Sequence, residues 1–203
     1  MSAQNRVTPS GDLVAIPLRG AWTGNRGILH EGRRIVRFHG GNLWIICALQ
    51  FHGRWHEQWR PHHLTWLYFH DEAVGFAAGH RPCGECRRRA YLAYRDAWAD
   101  AMGLAAPSAR QMNRQLHDER LVSRTRTRRV HALAWRGLPD GAFVRAEDGP
   151  AVVVDDHLAV WTTTGYGARL PRPRNGRAQV LTPPSSVAVL RAGYPIQIDD
   201  GAR

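Results

Sequence analysis

The sharpest chemical signal in the 203-residue chain is Gly79-His80-Arg81-Pro82-Cys83-Gly84-Glu85-Cys86-Arg87. At the start of a helix, a C-x-x-C turn puts both sulfurs on one side, within reach of one tetrahedral ion. The same spacing serves thiol–disulfide exchange when it follows a strand, because a helix N-terminus lowers a thiol pKa. Here a helix is expected before the pair, so zinc is the expected cofactor, with Cys83 and Cys86 as two of its ligands. Two sources offer the remainder. His52 and His56 form an H-x-x-x-H whose second member lies 27 positions before Cys83, giving a set of two thiolates and two imidazoles. Cys47, 36 positions upstream, gives a set of three thiolates completed by a histidine or water. Its apolar surroundings equally suit a buried free thiol. His62 and His63 are spare candidates.

Tyr68-Phe69, Asp71-Glu72-Ala73 and Ala77-Ala78-Gly79-His80-Arg81-Pro82-Cys83-x-x-Cys86-Arg87 resemble the second half of the zinc-binding module of Ada, the methylated-DNA repair protein. They also resemble a family of bacterial proteins that share the Ala-Ala-Gly-His-Arg-Pro-Cys signature. The Ada resemblance spans about twenty residues and implies zinc held by thiolates, one of which accepts a methyl group. That nucleophile belongs to an upstream C-x-x-x-C pair, which this sequence lacks. Cys47 as a ligand leaves thiolate chemistry open; His52 and His56 as ligands close it. Pro82-Cys83-Gly84-x-Cys86 is also similar to the cytidine deaminase zinc motif, which needs a third ligand followed two positions later by glutamate. His70-Asp71-Glu72 has the right order but lies too close to Cys83, and Cys47-Ala48-Leu49 lacks the acid. The expected site is therefore closed and structural. Glu72 and Glu85, the only nearby acids, are expected to leave activity nearly intact when either is replaced by glutamine.

Charge narrows the partner. The net is +11, and all 28 basic residues are arginine, whose planar fork suits phosphate. Such an excess on a small body attracts polyanions, nucleic acid first and most simply DNA. The candidate contacts are Arg87, Arg88 and Arg89 beside the thiol pair, and Arg124, Arg126, Arg128 and Arg129 in a basic stretch read as an exposed linker. No apolar run approaches the ~20 residues of a membrane span. Three cysteines are too few for a disulfide framework, and the first residues lack a secretory apolar segment, so a cytoplasmic setting without membrane partners is expected.

The elements that must position these groups read as an α+β fold: short β-rich segments, an embedded Ada-like zinc module, and a small C-terminal β-rich part ending in a short helix. Strands are expected at 13–18, 34–38, 43–51 and 64–69, with 54–59 folding back on 43–51 as a hairpin. Trp44, Trp55, Trp59 and Trp66 crowd this region and are expected to pack around the metal. Helices are expected at 72–78, capped by Asp71 and stopped by Gly79; at 87–102, stopped by Gly103; and at 108–121, capped by Ser108. His117, Asp118 and Glu119 read as a solvated face of the last. Strands follow at 142–145, 151–154 and 158–162, then a basic, proline-rich loop at 165–174. A helix at 185–192 is expected to start at Thr182-Pro183-Pro184, with the threonine as cap. Residues 1–135, holding a zinc module at about 42–102, and 136–203 are expected to pack as one unit.

Overall fold

In a computed structural model, which describes residues 2–53, 57–122, 125 and 127–203, the first half of the chain builds a sheet from very short strands. In chain order they are Arg6–Val7 (β1), Leu13–Val14 (β2), Trp22–Asn25 (β3), a separate two-strand ribbon of His30–Glu31 (β4) and Arg34–Ile35 (β5), Ile45–Cys47 (β6) and Leu67–Phe69 (β7). Helix Glu72–Ala77 (α1) follows, then strand Arg81–Pro82 (β8), and helices Arg88–Met102 (α2) and Ala109–Arg120 (α3). The second half adds His131–Ala134 (β9), Phe143–Ala146 (β10), Gly149–Val154 (β11), His157–Thr162 (β12), Gly165–Pro171 (β13), Arg177–Val180 (β14) and helix Pro184–Arg191 (α4). The result is a mixed α+β fold.

The first sheet runs β2-β1-β7-β3-β6-β8, with β1/β7 and β6/β8 parallel. The second runs β13-β12-β11-β10-β14-β9 and is antiparallel throughout. Between them sits α1, six residues long and buried on every side, as a helix without a solvent face must be. Ala73, Val74 and Ala77 pack with Phe143, Val152 and Trp161 of the second sheet; Phe76 packs with Ile46, Phe69 and Tyr94. Asp71 caps α1 by accepting from Val74 N at 2.8 Å. Two glycines let it fit. A Cβ on Gly75 would stand 2.5 Å from Ile46 Cδ1, and Gly79, at φ +86°, turns the chain where a Cβ would meet Arg120 Cδ at 2.7 Å.

Helices α1 to α3 form where the apolar spacing and caps place them; Ser108 and Gln111 complete a reciprocal capping box. Several expectations fail. The expected return strand does not cover β6, whose two edges are taken by β3 and β8; residues 54–56 of that expected strand lie outside the described residues. Residues 165–171 are a seven-residue strand on the edge of the second sheet, where a terminal proline costs no ladder hydrogen bond. Thr182 does not cap α4, since its hydroxyl accepts from Phe143 N at 2.9 Å. The Glu119 carboxylate takes that place, accepting from Ser185 N at 3.0 Å and from its hydroxyl at 2.6 Å. A carboxylate there also complements the positive end of the helix.

Candidate metal centre

Strands β6 and β8 are parallel neighbours, Ile45 opposite Arg81 and Ile46 opposite Pro82. Their carboxyl ends therefore emerge side by side. Cys47 ends β6, Cys83 immediately follows β8, and the turn into α2 brings Cys86 back beside them. The three sulfurs lie within 4.8 Å of one another, and among the described residues no other histidine, cysteine or acid joins such a cluster. Zinc–sulfur bonds of ~2.3 Å at tetrahedral angles separate sulfurs by about 3.8 Å, so this spacing fits one ion after small adjustment.

The local backbone prepares these sulfurs for negative charge. Ala48 N donates to Cys86 Sγ and Glu85 N donates to Cys83 Sγ, each at 3.4 Å. Without a cation the three thiols must share their protons. Hydrogen bonds with Cys83 and Cys86, aided by burial, push the Cys47 thiol far up, while bonds from Cys47 and Cys86 hold the Cys83 thiol far down. A dication at the centre lets all three ionise together. The cluster can hold a metal ion.

The other sequence candidates fall elsewhere. His52 is exposed, packs on Phe51 with ring centroids 4.1 Å apart, and is no part of the cluster; His56 lies outside the described residues. His62 and His63 are exposed too. His70, the would-be deaminase ligand, faces Asp199 at 3.6 Å and Tyr166 at a centroid distance of 5.2 Å, because the second sheet packs against that edge. Trp44 is fully buried, yet at the amino end of β6 rather than around the thiols; Trp55 is outside the described residues.

Beside Cys86 a groove of about 520 Å³ runs along the first turn of α2. Its floor is Ala48, Trp22 and Tyr194, and its rim carries exposed Arg88 and Arg89. Arg87 does not face solvent: its guanidinium lies 3.8 Å from the Trp22 ring centre and 2.6 Å from Glu72 Oε1, with both side chains almost wholly buried. Glu72 is saturated, accepting from Tyr194 Oη at 2.8 Å and from Gln197 N at 3.2 Å. Glu72 is thus the hub that ties α1, α2 and the C-terminal tail together, a role that its position at a helix start gave no means of foreseeing. Glu85 is exposed.

The basic stretch read as an exposed linker is partly interior. Arg128 donates to Ala77 O at 2.6 Å and Ala78 O at 3.2 Å, closing the end of α1, and Arg129 donates to Leu121 O at 2.8 Å. Unpaired helix carbonyls attract such donors. Arg124 and Arg126 lie outside the described residues. The chain matches no family model, no curated protein and no solved structure.

Proposed function

We propose that this is a zinc-bearing nucleic-acid-binding protein, in which Cys47, Cys83 and Cys86 hold the ion and the adjoining groove binds the polyanion. The zinc would fix the Cys83–Cys86 turn against the end of β6 and so set the direction of α2. One observation carries the reading: Arg88 and Arg89 occupy the first turn of α2, where no acid and no side-chain cap accompanies them. Cations at the positive end of a helix cost stability, and the free N–H groups there favour anions. Half-buried Trp22, in the groove beside that rim, offers an aromatic edge for an unpaired base, with its phosphates on the arginines. The +11 net charge supports the same class of partner. The Ada-like half-motif favours DNA as that partner. Glu72 supports binding over zinc-dependent catalysis, since its oxygens are already held by Arg87, Tyr194 and Gln197.

Salt titration of binding to a random single strand and a random duplex tests this. The logarithm of the binding constant should fall linearly with the logarithm of salt concentration. Arg88→Ala with Arg89→Ala should weaken single-strand binding about tenfold at low salt and flatten the slope by about 1.4, the share of two phosphates. Binding undetectable at low salt, or indifferent to the double substitution, removes the proposal.

A further inference from the structure

The amino ends of β6 and β8 hold the second unusual cluster. Trp44 precedes β6 and His80 precedes β8, with ring centroids 5.1 Å apart. Two fully buried arginines lie over the Trp44 ring, Arg26 at 4.5 Å and Arg120 at 3.9 Å. Arg26 also lies 4.5 Å from the ring centre of Phe38 and donates through Nη2 to Gly11 O at 2.7 Å. Arg120 donates to Gly79 O and to Asn42 O, each at 2.7 Å. These bonds leave much of the donor capacity unused: Arg26 Nε and Nη1 and Arg120 Nε are buried without a hydrogen bond, as are both ring nitrogens of His80, one of which is a donor in the neutral ring.

The charges are as poorly matched as the donors. Among the described residues no ion pair includes Arg26, Arg120 or Arg128. The acid that acts on Arg26 and Arg128 does so through space, from Asp12. Burial first, and then repulsion from Arg128, lower Arg26 to about 9. Isolated buried charge is costly, and natural interiors pair it or neutralise it. Unsatisfied interior donors around like charges are what an anion site presents.

Two histidines form the less buried edge of the cluster. His39 and His117 are half-buried, with rings 5.2 Å apart, and His39 lies 5.9 Å from Trp44. Arg120 Nη2 stands 3.2 Å from His117 Nδ1. A guanidinium can only donate, so Nδ1 accepts and the neutral ring carries its proton on Nε2. That adds one more donor at the half-exposed edge of the cluster.

We propose that Arg26, Arg120, His80 and His117, gathered around Trp44 at the amino ends of β6 and β8, form a binding site for a phosphate-type oxyanion. This site is separate from the α2 groove, and either could exist without the other. The anion could be free phosphate or a phosphate of a nucleic acid, since both present tetrahedral oxyanions to the same donors.

Inorganic phosphate is the first probe, titrated against chloride at matched ionic strength and followed by phosphorus NMR and thermal melting. A random single-stranded oligonucleotide, followed by anisotropy, is the second. Arg26→Met removes a cation while keeping an unbranched apolar chain; His117→Ala, at the half-exposed edge, serves if Arg26→Met does not fold. Saturable phosphate binding to wild-type protein, weakened at least tenfold in the folded variant, establishes the site with free phosphate as its source. Tenfold weaker oligonucleotide binding in the same variant, with phosphate silent, establishes it with a phosphodiester as its source. If neither probe distinguishes the folded variant from wild type, the site does not exist, whatever the α2 groove does.

Discussion

Strands β6 and β8 carry opposite problems at their two ends. At the carboxyl ends, three thiols converge where backbone N–H groups favour negative sulfur. At the amino ends, about 10 Å away by strand rise, two fully buried arginines and a buried histidine converge with little to balance them. The first end can hold a cation, and the second is the proposed anion site. A pair of very short strands, with a slight ladder of its own, thus presents opposite charge preferences at its two ends. It also separates two kinds of arginine. Those on the α2 rim are exposed and stand at the positive end of a helix, whereas those around Trp44 hold backbone carbonyls of distant segments.

The largest test of this contrast is at the thiol end. Cys83→Ser should abolish zinc retention, read by metal analysis. It should also leave the protein largely unfolded at 37 °C, because structural zinc contributes on the order of 10 kcal/mol, comparable with a domain's whole stability. A variant that keeps its fold without metal would reduce the thiol end to ordinary packing. Next comes Glu72→Gln, which leaves Arg87 buried beside Trp22 without its counter-charge. A loss of about 3 kcal/mol in urea unfolding is expected, with zinc content unchanged. Loss of zinc together with stability would show that the ion pair and the metal are one cooperative unit.

The smallest effect lies at the cation end and is pH-dependent. In the folded protein His80 stays neutral well below its ordinary 6.5, through burial first and then repulsion from Arg26, Arg120 and Arg128, with the Gly75 backbone acting weakly the other way. Trp44 and Phe69, which pack against the ring, offer no compensating charge. The unfolded chain takes up this proton near pH 6.5 and the folded chain does not. Stability is therefore complete above that pH and declines as pH falls through it, by up to about 1.4 kcal/mol per unit. His80→Phe should flatten the decline between pH 6.5 and 5.5 in chemical denaturation. An unchanged pH profile would mean that the ring is protonated inside the fold, with an anion already balancing it.

Much of the secondary structure was legible in the sequence because its signals are local. Asp71, Ser108, Gly79 and Gly103 cap or stop helices through bonds or backbone angles within a few residues. The C-x-x-C turn belongs to the same class, since its two sulfurs are fixed by one turn of chain. The apolar run around Cys47 marked a strand but gave no sign of its neighbours. Only the parallel pairing of β6 with β8 decided that Cys47, and not His52, stands beside Cys83.

Charge shows the same division. Composition alone determined that the molecule carries a large positive excess and that every basic group is a guanidinium. It could not separate Arg88 and Arg89, exposed at the start of a helix, from Arg128, turned inward onto Ala77 and Ala78. Nor could it place Arg26 and Arg120 over one indole, because 94 residues of chain separate them and no periodic pattern links positions so far apart. Burial of a charge depends on which distant carbonyls and rings surround it. The tertiary structure made that choice, by closing α3 and the segment after β3 over the amino ends of two strands that neighbouring residues had already formed.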